Sequence, residues 1–397
     1  MSMTAHFRTI IVGRGLMGSA AARHLAGMEE GVAVIGPDEP ADKASHDGVF
    51  ASHYDEGRIT RTIDRDPVWA RLANRSIARY REIERDSGIE VFSEVGALIV
   101  GPSRSRGRYV ETIMEAAEAC GADAEIVDAK GLVERFPYFE FAKKTEGVLE
   151  ASGAGFISPR RLVAAQTILA RKAGATVIKD TVATVRENGA GVRVETDGGA
   201  FYTADRVLVA AGGFTINPDL LPGRLDLTVF ARTVAYFEVS EEEAEALKAM
   251  PSLIYKPEFD VDGIYLLPPI RYPDGRFYIK IGGDPDDVPL ETEADVRAWF
   301  KSRGTNATRE HLTRILCDLM PGIRVLQSTT GTCVTSYSPS GYPMIGFSPS
   351  DRIAVLTAGC GAGAKSSDEI GRLGAVLMAG GALADEGYGV DFAPSFS

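Results

Sequence analysis

Two short runs of hydrophobic residues frame the first forty positions of the chain. Residues 10–12 and 32–35 are uninterrupted apolar segments, which is typical of parallel strands that are buried on both faces of a sheet. Between these runs, Gly13, Gly15 and Gly18 have GxGxxG spacing and precede a predicted helix. A lone GxGxxG indicates only a Gly-rich turn. Here strand, turn, helix and strand occur in order within about 30 residues, and that order predicts a dinucleotide-binding unit.

The glycines of this unit have distinct mechanical roles. Gly13 permits the tight turn, Gly15 leaves room for a pyrophosphate, and Gly18 lets the helix pack closely on the strand. Leu16 and Met17 complete the motif and are also predicted cofactor contacts. The first helix amides are expected to face the phosphates, because the positive end of a helix dipole favours negative charge.

The residue that binds the adenosine ribose is displaced from its usual place. A carboxylate is expected at the end of the second strand. Gly36 and Pro37 occupy that place, and Asp38 follows them. We therefore assign the ribose contact to Asp38.

Two later Gly-rich segments are predicted to return to the same cofactor. The apolar run at 207–213 ends in small residues that let the backbone lie against a cofactor, and Gly212 is in this group. Val182 is placed at a strand turn near the adenine. Near the C-terminus, Gly361 and Gly363 precede a helix and offer backbone amides to another part of the cofactor.

The fold class predicted from this organisation is α/β, or α+β over the whole chain. It comprises a Rossmann-like domain and a second domain built on an antiparallel sheet, for which the strand-rich character of residues 227–321 is the signal. The predicted boundaries are 1–90, 150–225 and 325–397 for the discontinuous cofactor domain, and 91–149 and 226–324 for the substrate domain.

Composition narrows the functional classes. Hydrophobic residues make up 45% of the 397 residues and charged residues 25%, as in ordinary soluble proteins. The net charge of -12 argues against a nucleic-acid partner, and no apolar stretch is long enough for a membrane helix. Without a secretory pattern we expect a cytoplasmic protein, either a monomer or a weak homo-oligomer. Scattered cysteines and histidines predict neither disulfides nor a metal site.

Six segments in a fixed order support a resemblance to a known family. They are GRGLMG, SHYDEGRITR, ADRVLVAAGG, IKIGGD, TCVTSYSPSGYPMIG and GCGAGAKSS. With these segments the chain resembles the FAD-dependent amine oxidases of the D-amino-acid-oxidase superfamily, and within it the monomeric sarcosine oxidases and N-methyl amino acid oxidases. The resemblance covers nearly the whole chain and implies an FAD cofactor.

The resemblance implies several contacts to the flavin. Arg58 matches the arginine near the isoalloxazine, and Ser52 lies in the same loop. Cys333 matches the cysteine that is joined to the flavin by a thioether; without the resemblance it would be only a buried apolar cysteine. Lys280 matches the lysine that promotes reaction with oxygen. Burying an unpaired ammonium group within an apolar strand costs free energy, so a lysine at this position indicates a role beyond packing.

The resemblance also implies a clamp for a substrate carboxylate. Arg61 and Lys365 match its two cationic ligands, and Lys365 is also counted among the cofactor contacts. Without the resemblance, Arg61 would be a surface salt-bridge residue. Tyr265 keeps the family's tyrosine. Asp284 replaces an active-site histidine, and it is expected to pair with a cationic or hydroxyl part of the substrate, or with Lys280 or a neighbouring arginine.

Three further departures enlarge the predicted substrate pocket. Thr335 replaces a tyrosine, and Ala362 and Ala364 replace a histidine and a phenylalanine. The predicted function is FAD-dependent oxidation of a carboxylate-bearing secondary or N-methylated amine that is larger than sarcosine. The products are an imine, then an aldehyde and an amine, and hydrogen peroxide. The alternatives are an FAD-dependent amino acid dehydrogenase that passes electrons to a carrier or quinone, and a non-enzymatic dinucleotide-binding protein.

Overall fold

The structure is a computed structural model that describes residues 5–189, 191–258 and 263–397. The strands are β1 (His6–Val12), β2 (Val32–Ile35), β3 (Arg58–Thr60), β4 (Phe92–Ser93), β5 (Ala97–Pro102), β6 (Ala124–Val127), β7 (Thr145–Glu150), β8 (Gly155–Ile157), β9 (Thr176–Ile178), β10 (Val182–Asn188), β11 (Gly191–Thr196), β12 (Phe201–Val209), β13 (Thr228–Val239), β14 (Ser252–Tyr255), β15 (Ile264–Arg271), β16 (Phe277–Gly282), β17 (Val288–Pro289), β18 (Gln327–Tyr337), β19 (Met344–Phe347) and β20 (Ile353–Thr357). The α-helices are α1 (Leu16–Ala26), α2 (Pro67–Ser87), α3 (Tyr109–Cys120), α4 (Ala129–Arg135), α5 (Pro159–Lys172), α6 (Glu241–Ala246), α7 (Glu293–Lys301), α8 (Asn306–Leu319) and α9 (Gly363–Met378).

The first sheet contains the predicted dinucleotide-binding unit. Its parallel centre has the order β9, β2, β1, β12 and β20, and β10, β11 and β19 extend it with antiparallel pairings. Helix α1 packs between α5 and α9 over this sheet. Ile10 and Ile11 of β1 are fully buried, which agrees with a strand covered on both faces.

The glycine turn after β1 has the geometry that the motif requires. Gly13 has a φ of +103°, and a Cβ at that position would overlap the carbonyl oxygen of Ala210. A Cβ at Gly18 would overlap the carbonyl oxygen of Gly13, so only glycine lets α1 approach the strand this closely. Gly15 is open by comparison, because its nearest neighbour would be Nδ1 of His53 at 3.9 Å.

The second sheet is mainly antiparallel and includes one strand from the C-terminal part of the chain. Its order is β17, β13, β16, β15, β14, β5, β7 and β6, with β18 paired to the other edge of β13. Strand β18 therefore belongs to this sheet, although the prediction assigned residues 325–397 to the cofactor domain. The pairing of β18 with β13 extends over eleven residue pairs. The division into domains remains a prediction, and residues 1–4 of it lie outside the described chain.

One face of the second sheet collects the residues that matter for chemistry. In the antiparallel registers, Arg232 lies opposite Cys333, and Tyr236 lies opposite both Lys280 of β16 and Thr329 of β18. Side chains of directly opposed residues project to the same face. Since Arg232 and Tyr236 are four residues apart on β13, both pairs share one face. Tyr265, opposite Gly282, joins it through the next pair of strands.

The loop at residues 45–61 ends in a short strand. Arg58–Thr60 form β3, which pairs with β8 in a three-stranded sheet that also contains β4. The polar, Gly-bearing sequence of this segment predicts a loop rather than a strand, but β8 offers it backbone partners. The strand fixes the direction of Arg58 and of the residues that follow it. Among the described residues, no helix is long and apolar enough to cross a membrane.

Candidate active site

A cavity of about 280 Å³ lies where the glycine turn of β1, the loop at 49–54, strand β18 and the Gly-rich loop before α9 meet. The predicted cofactor residues that line it are Gly13, Gly15, Leu16, Met17, Ser52, Arg58, Val182, Gly212, Cys333, Gly361 and Gly363. The other predicted site residues, Gly18, Asp38, Arg61, Tyr265, Lys280, Asp284 and Lys365, are not among the residues that line it. The structure thus brings segments from four distant parts of the sequence to one cavity.

The end of this cavity at the glycine turn suits a phosphate-bearing ligand. Gly15 precedes α1 and has no side chain that caps the helix, so the first amides of α1 are free of a side-chain acceptor. His53 also lines the cavity, and its buried Nδ1 has no hydrogen-bond partner among the described residues. Burial, together with nearby Arg14 and Arg160, lowers the pKa of His53 to about 3. His53 is therefore a neutral ring with unused hydrogen-bonding capacity.

Asp38, the predicted ribose ligand, is engaged by two cations. Its carboxylate contacts Arg14 and lies 2.6 Å from Nζ of Lys179. The hydrogen bond from Lys179 has the largest effect and, together with Arg14, keeps the pKa of Asp38 below its usual value against the opposing effect of burial. Gly36 and Pro37 line the cavity instead. The ribose role of Asp38 stays a prediction.

Arg58 lies directly against the thiol of Cys333. Its Nη2 donates to Sγ of Cys333 at 3.5 Å and to the carbonyl oxygen of Ser52 at 3.0 Å. Burial acts to raise the pKa of the Cys333 thiol, but Arg58, a hydrogen bond from Ser52 and the charge of Lys280 together hold that pKa below its usual value. The thiol at the cavity wall is therefore biased towards the nucleophilic thiolate.

Lys280 is fully buried behind Arg58 and has a carboxylate partner. Its Nζ donates to Oδ2 of Asp55 at 2.6 Å and to the carbonyl oxygen of Gly57 at 2.8 Å. Burial lowers the pKa of the Lys280 ammonium well below its usual value, and the positive charge of Arg58 acts in the same direction. The sequence did not single out Asp55; the signal was present, however, as a carboxylate three residues before Arg58 in a loop suspected of lying near the cofactor.

The predicted carboxylate clamp forms a cluster with a resident acid. Lys365 is buried, and its Nζ donates to Oδ2 of Asp64 at 2.7 Å. Nη2 of Arg61 lies 3.5 Å from the same oxygen, and Nε of Arg61 has no partner among the described residues. Burial, followed by the charge of Arg61, lowers the pKa of Lys365 to about 8. Two cations thus share one carboxylate beside Ala364, which lines the main cavity.

Asp284 lies apart from that clamp. Its carboxylate accepts from the backbone amide of Thr233 at 3.1 Å and from the hydroxyl of Thr308 at 3.2 Å. Lys280 pairs with Asp55, whereas the charge of Arg232 acts on Asp284, and the roles expected of Asp284 stay predictions. Burial raises the pKa of the Asp284 carboxyl. Asp284 instead lines an open groove of about 560 Å³ together with Arg232, another residue that the sequence did not reveal.

Tyr265 lies next to Lys280 on the shared sheet face. Nζ of Lys280 is 5.6 Å from the centre of the Tyr265 ring, and a Cβ at Gly282 would overlap that ring. Burial raises the pKa of the Tyr265 phenol to about 12, so the hydroxyl is protonated at neutral pH. The position of Tyr265 depends on the absence of a side chain at Gly282.

Comparisons with known proteins agree with this geometry. The family model described as FAD dependent oxidoreductase (DAO) matches residues 8–377. Monomeric sarcosine oxidase from Bacillus sp. (strain NS-129) is 27% identical over 399 residues, which covers 96% of this chain and 94% of the relative. Monomeric sarcosine oxidase from Streptomyces avermitilis is 29% identical over 388 residues, 96% of each chain. The structure of NikD, described as an unusual amino acid oxidase essential for nikkomycin biosynthesis, covers 99% of this chain and 98% of its own with a TM-score of 0.76 at 21% identity, and so is similar in fold.

Proposed function

Because the chain belongs to the FAD-dependent oxidoreductase (DAO) family, we propose that it oxidises a secondary or N-methylated amino acid with FAD as its cofactor. The membership confirms the predicted fold class, the enzymatic class and the FAD cofactor, and it removes the ground for a non-enzymatic protein. The relatives reported above are named sarcosine oxidases, and they match this chain over nearly their whole length. Their names support this choice of substrate class.

The residues around the main cavity fit FAD. The turn at Gly13 and Gly15 leaves the approach to the α1 amides free of side chains, as a pyrophosphate requires. The unpartnered Nδ1 of His53 faces the same region and offers a hydrogen bond to a polar group of the cofactor. Arg58 and Cys333 lie at the other end, where the resemblance puts the isoalloxazine. When bound, FAD takes hydride equivalents from the carbon next to the amine nitrogen and passes the electrons to oxygen.

The cluster of Arg61, Asp64 and Lys365 is the observation on which the substrate class rests. Two cations and one carboxylate leave a net charge of +1, and one monoanion neutralises it. Nε of Arg61 still lacks an acceptor, so a planar carboxylate adds a hydrogen bond that the protein alone does not provide. The role of the cluster is to hold the substrate carboxylate, and thereby to orient the amine towards the cofactor.

The alanines of the Gly-rich loop set the size of the proposed substrate. Ala362 precedes α9, and Ala364 lines the main cavity, so neither position fills space beside the clamp with a large side chain. The proposed substrate is therefore an N-substituted amino acid larger than sarcosine. Loss of one hydrogen from the carbon and one from the nitrogen of its C–N bond gives an imine, which water hydrolyses. The same two electrons then reduce oxygen to hydrogen peroxide.

Two residues are proposed to act on the cofactor. Cys333 would hold the flavin through a thioether that replaces its S–H bond and one C–H bond of the flavin, with the two electrons released going to the flavin and then to oxygen; the lowered pKa of its thiol is the supporting observation. Lys280 places a positive charge behind Arg58, and that charge stabilises the negative charge that develops on oxygen as it is reduced.

A panel of amines scored by peroxide release tests the proposal. The purified protein is expected to be yellow, and N-alkyl amino acids with larger side chains are expected to outperform sarcosine. Each substrate is compared with its decarboxylated amine, which lacks the group that the clamp binds. A best substrate without a carboxylate contradicts the proposed clamp. Slow reaction of the reduced enzyme with oxygen, but fast reaction with an artificial carrier, favours the dehydrogenase alternative.

A further inference from the structure

Asp55 lies at the centre of a buried set of charges behind the main cavity. Its Oδ2 accepts from Nζ of Lys280 at 2.6 Å, and the same oxygen contacts the guanidinium of Arg58. Its Oδ1 accepts from the hydroxyl of Tyr272 at 2.7 Å and from the backbone amide of Glu56 at 2.8 Å. Both oxygens are thus committed, and the carboxylate cannot move without breaking several contacts.

Burial of Lys280 and Asp55 makes the charge of Lys280 depend on its partner. The Lys280 side chain is 0% exposed and the Asp55 side chain 5% exposed. A buried ammonium without a counter-ion tends to lose its proton, because the charged form is poorly solvated. Arg58 cannot reduce the repulsion between the two cations by losing its own proton, because a guanidinium stays charged at any ordinary pH. Lys280 is therefore the group whose charge depends on Asp55.

The other groups around Lys280 do not replace Asp55. The titratable side chains near Lys280 on the sheet are Tyr236 of β13, Tyr265 of β15 and Cys333 of β18, and burial raises the pKa values of both tyrosines so that they are neutral. Glu56, the next residue, is turned away and bonds to Ser158 and Arg160. Among the described residues, Asp55 is the carboxylate that pairs with Lys280.

We propose that Asp55 is a positioning residue that keeps Lys280 protonated and holds its ammonium behind Arg58, so that the reaction of the reduced enzyme with oxygen depends on the Asp55 carboxylate. The same contact holds Arg58 against Sγ of Cys333 at 3.5 Å. Asp55 is not among the residues that line the main cavity, and it acts through the two cations. This inference rests on the proposed oxidase function.

The test is the pH dependence of the two half-reactions in the flavin-loaded Asp55→Asn enzyme. Reoxidation by oxygen, followed in a stopped-flow instrument, is expected to slow as pH rises and Lys280 loses its proton. Removing an opposite charge in direct contact shifts a pKa by about 1 to 3 units, so the midpoint in Asp55→Asn is expected to fall by that amount. A second readout needs no turnover: the pH titration of the visible spectrum of the oxidised flavin is expected to show the same shift in midpoint.

Two companion variants separate this role from a general structural effect. Glu56→Gln removes the adjacent buried carboxylate, which pairs with Arg160, and is expected to leave the midpoint unchanged. In a Lys280→Met background, Asp55→Asn is expected to produce no shift, because the titrating group is gone. An unchanged midpoint in Asp55→Asn, or a shift that persists without Lys280, overturns the proposal.

The outcome is informative even when the single variant does not fold. Asp55→Asn leaves a buried ammonium unpaired, so the addition of Lys280→Met is then expected to recover folded, yellow protein. Failure of the second substitution to recover it contradicts the proposed pairing. If the wild-type protein binds flavin but releases no peroxide with any amine, the proposed oxidase function fails; if peroxide forms and the midpoints do not move, only the role of Asp55 fails.

Discussion

We expect the buried Lys365 to make the binding of a carboxylate sensitive to pH near neutrality. The perturbation is a rise in pH from 7 to 9.5 in the flavin-loaded protein. Lys365 has a pKa of about 8, because burial and the charge of Arg61 disfavour its ammonium form. An amino acid substrate also titrates in this range, so the suitable ligand is an unreactive carboxylate in which an ether oxygen replaces the amine.

The magnitude follows from the pKa. If only the protonated form of Lys365 binds the ligand tightly, the dissociation constant rises with the fraction of neutral lysine. From pH 7 to pH 9.5, a group of pKa about 8 weakens the binding about 30-fold, with the steep part above pH 8. Binding takes up protons above that pH, since the ligand carboxylate favours the ammonium form.

The assay is a titration of the flavin absorption spectrum with the ether carboxylate at several pH values. Lys365→Arg keeps a cation at every pH and is expected to abolish the pH dependence. Lys365→Met is expected to bind weakly and without that dependence. An affinity that is flat between pH 7 and pH 9.5 in the wild-type protein, or equally pH-dependent in Lys365→Met, refutes the assignment of Lys365 as a titrating carboxylate ligand.

Further predictions concern single substitutions. Arg61→Ala is expected to lose about 2 to 4 kcal/mol of transition-state binding, or about 30- to 1000-fold in kcat/KM, for a carboxylate substrate and little for its decarboxylated amine. Acid precipitation is expected to leave the flavin in the wild-type pellet, whereas Cys333→Ala releases it to the supernatant; free flavin from the wild type contradicts the thioether. Lys280→Met is expected to slow reoxidation by oxygen far more than reduction by substrate, and equal slowing of both steps would indicate a structural role. Asp368→Ala removes a fully buried carboxylate that pairs with arginines, and is expected to cost about 3 to 5 kcal/mol in denaturant unfolding, against a small change for an exposed acid.

Local patterns made the dinucleotide-binding unit predictable. The glycine spacing and the two apolar runs lie within about 30 residues, so the chain needs no distant contact to specify them. The two cations of the clamp were also predictable from the sequence, because the resemblance indicated Arg61 and Lys365. Asp64, which joins them, was not singled out, since an acid next to an arginine is common in any loop.

Pairings between distant segments account for what sequence reasoning missed. Asp55 and Lys280 are 225 positions apart, and no local periodicity connects them. The pairing of β18 with β13 likewise joins segments about 100 residues apart, and no local pattern in either strand specifies that register. The contacts of Asp38 with Arg14 and Lys179 likewise depend on how the glycine turn folds back on the end of β2 and the segment after β9.

The alternation along β13, which is interrupted only at buried Val234, has a practical consequence for redesign of the enzyme. Odd-numbered positions such as Ala235 and Phe237 are buried, whereas the even-numbered positions Phe230, Arg232 and Tyr236 share the face that bears Cys333 and are less deeply covered. A saturation library restricted to Phe230, Arg232 and Tyr236 is therefore expected to sample new amine specificities while leaving the hydrophobic interior, including Val234, intact. The tolerance of this strand in a mutational scan should accordingly repeat every second residue, with folding defects and specificity changes on alternate positions.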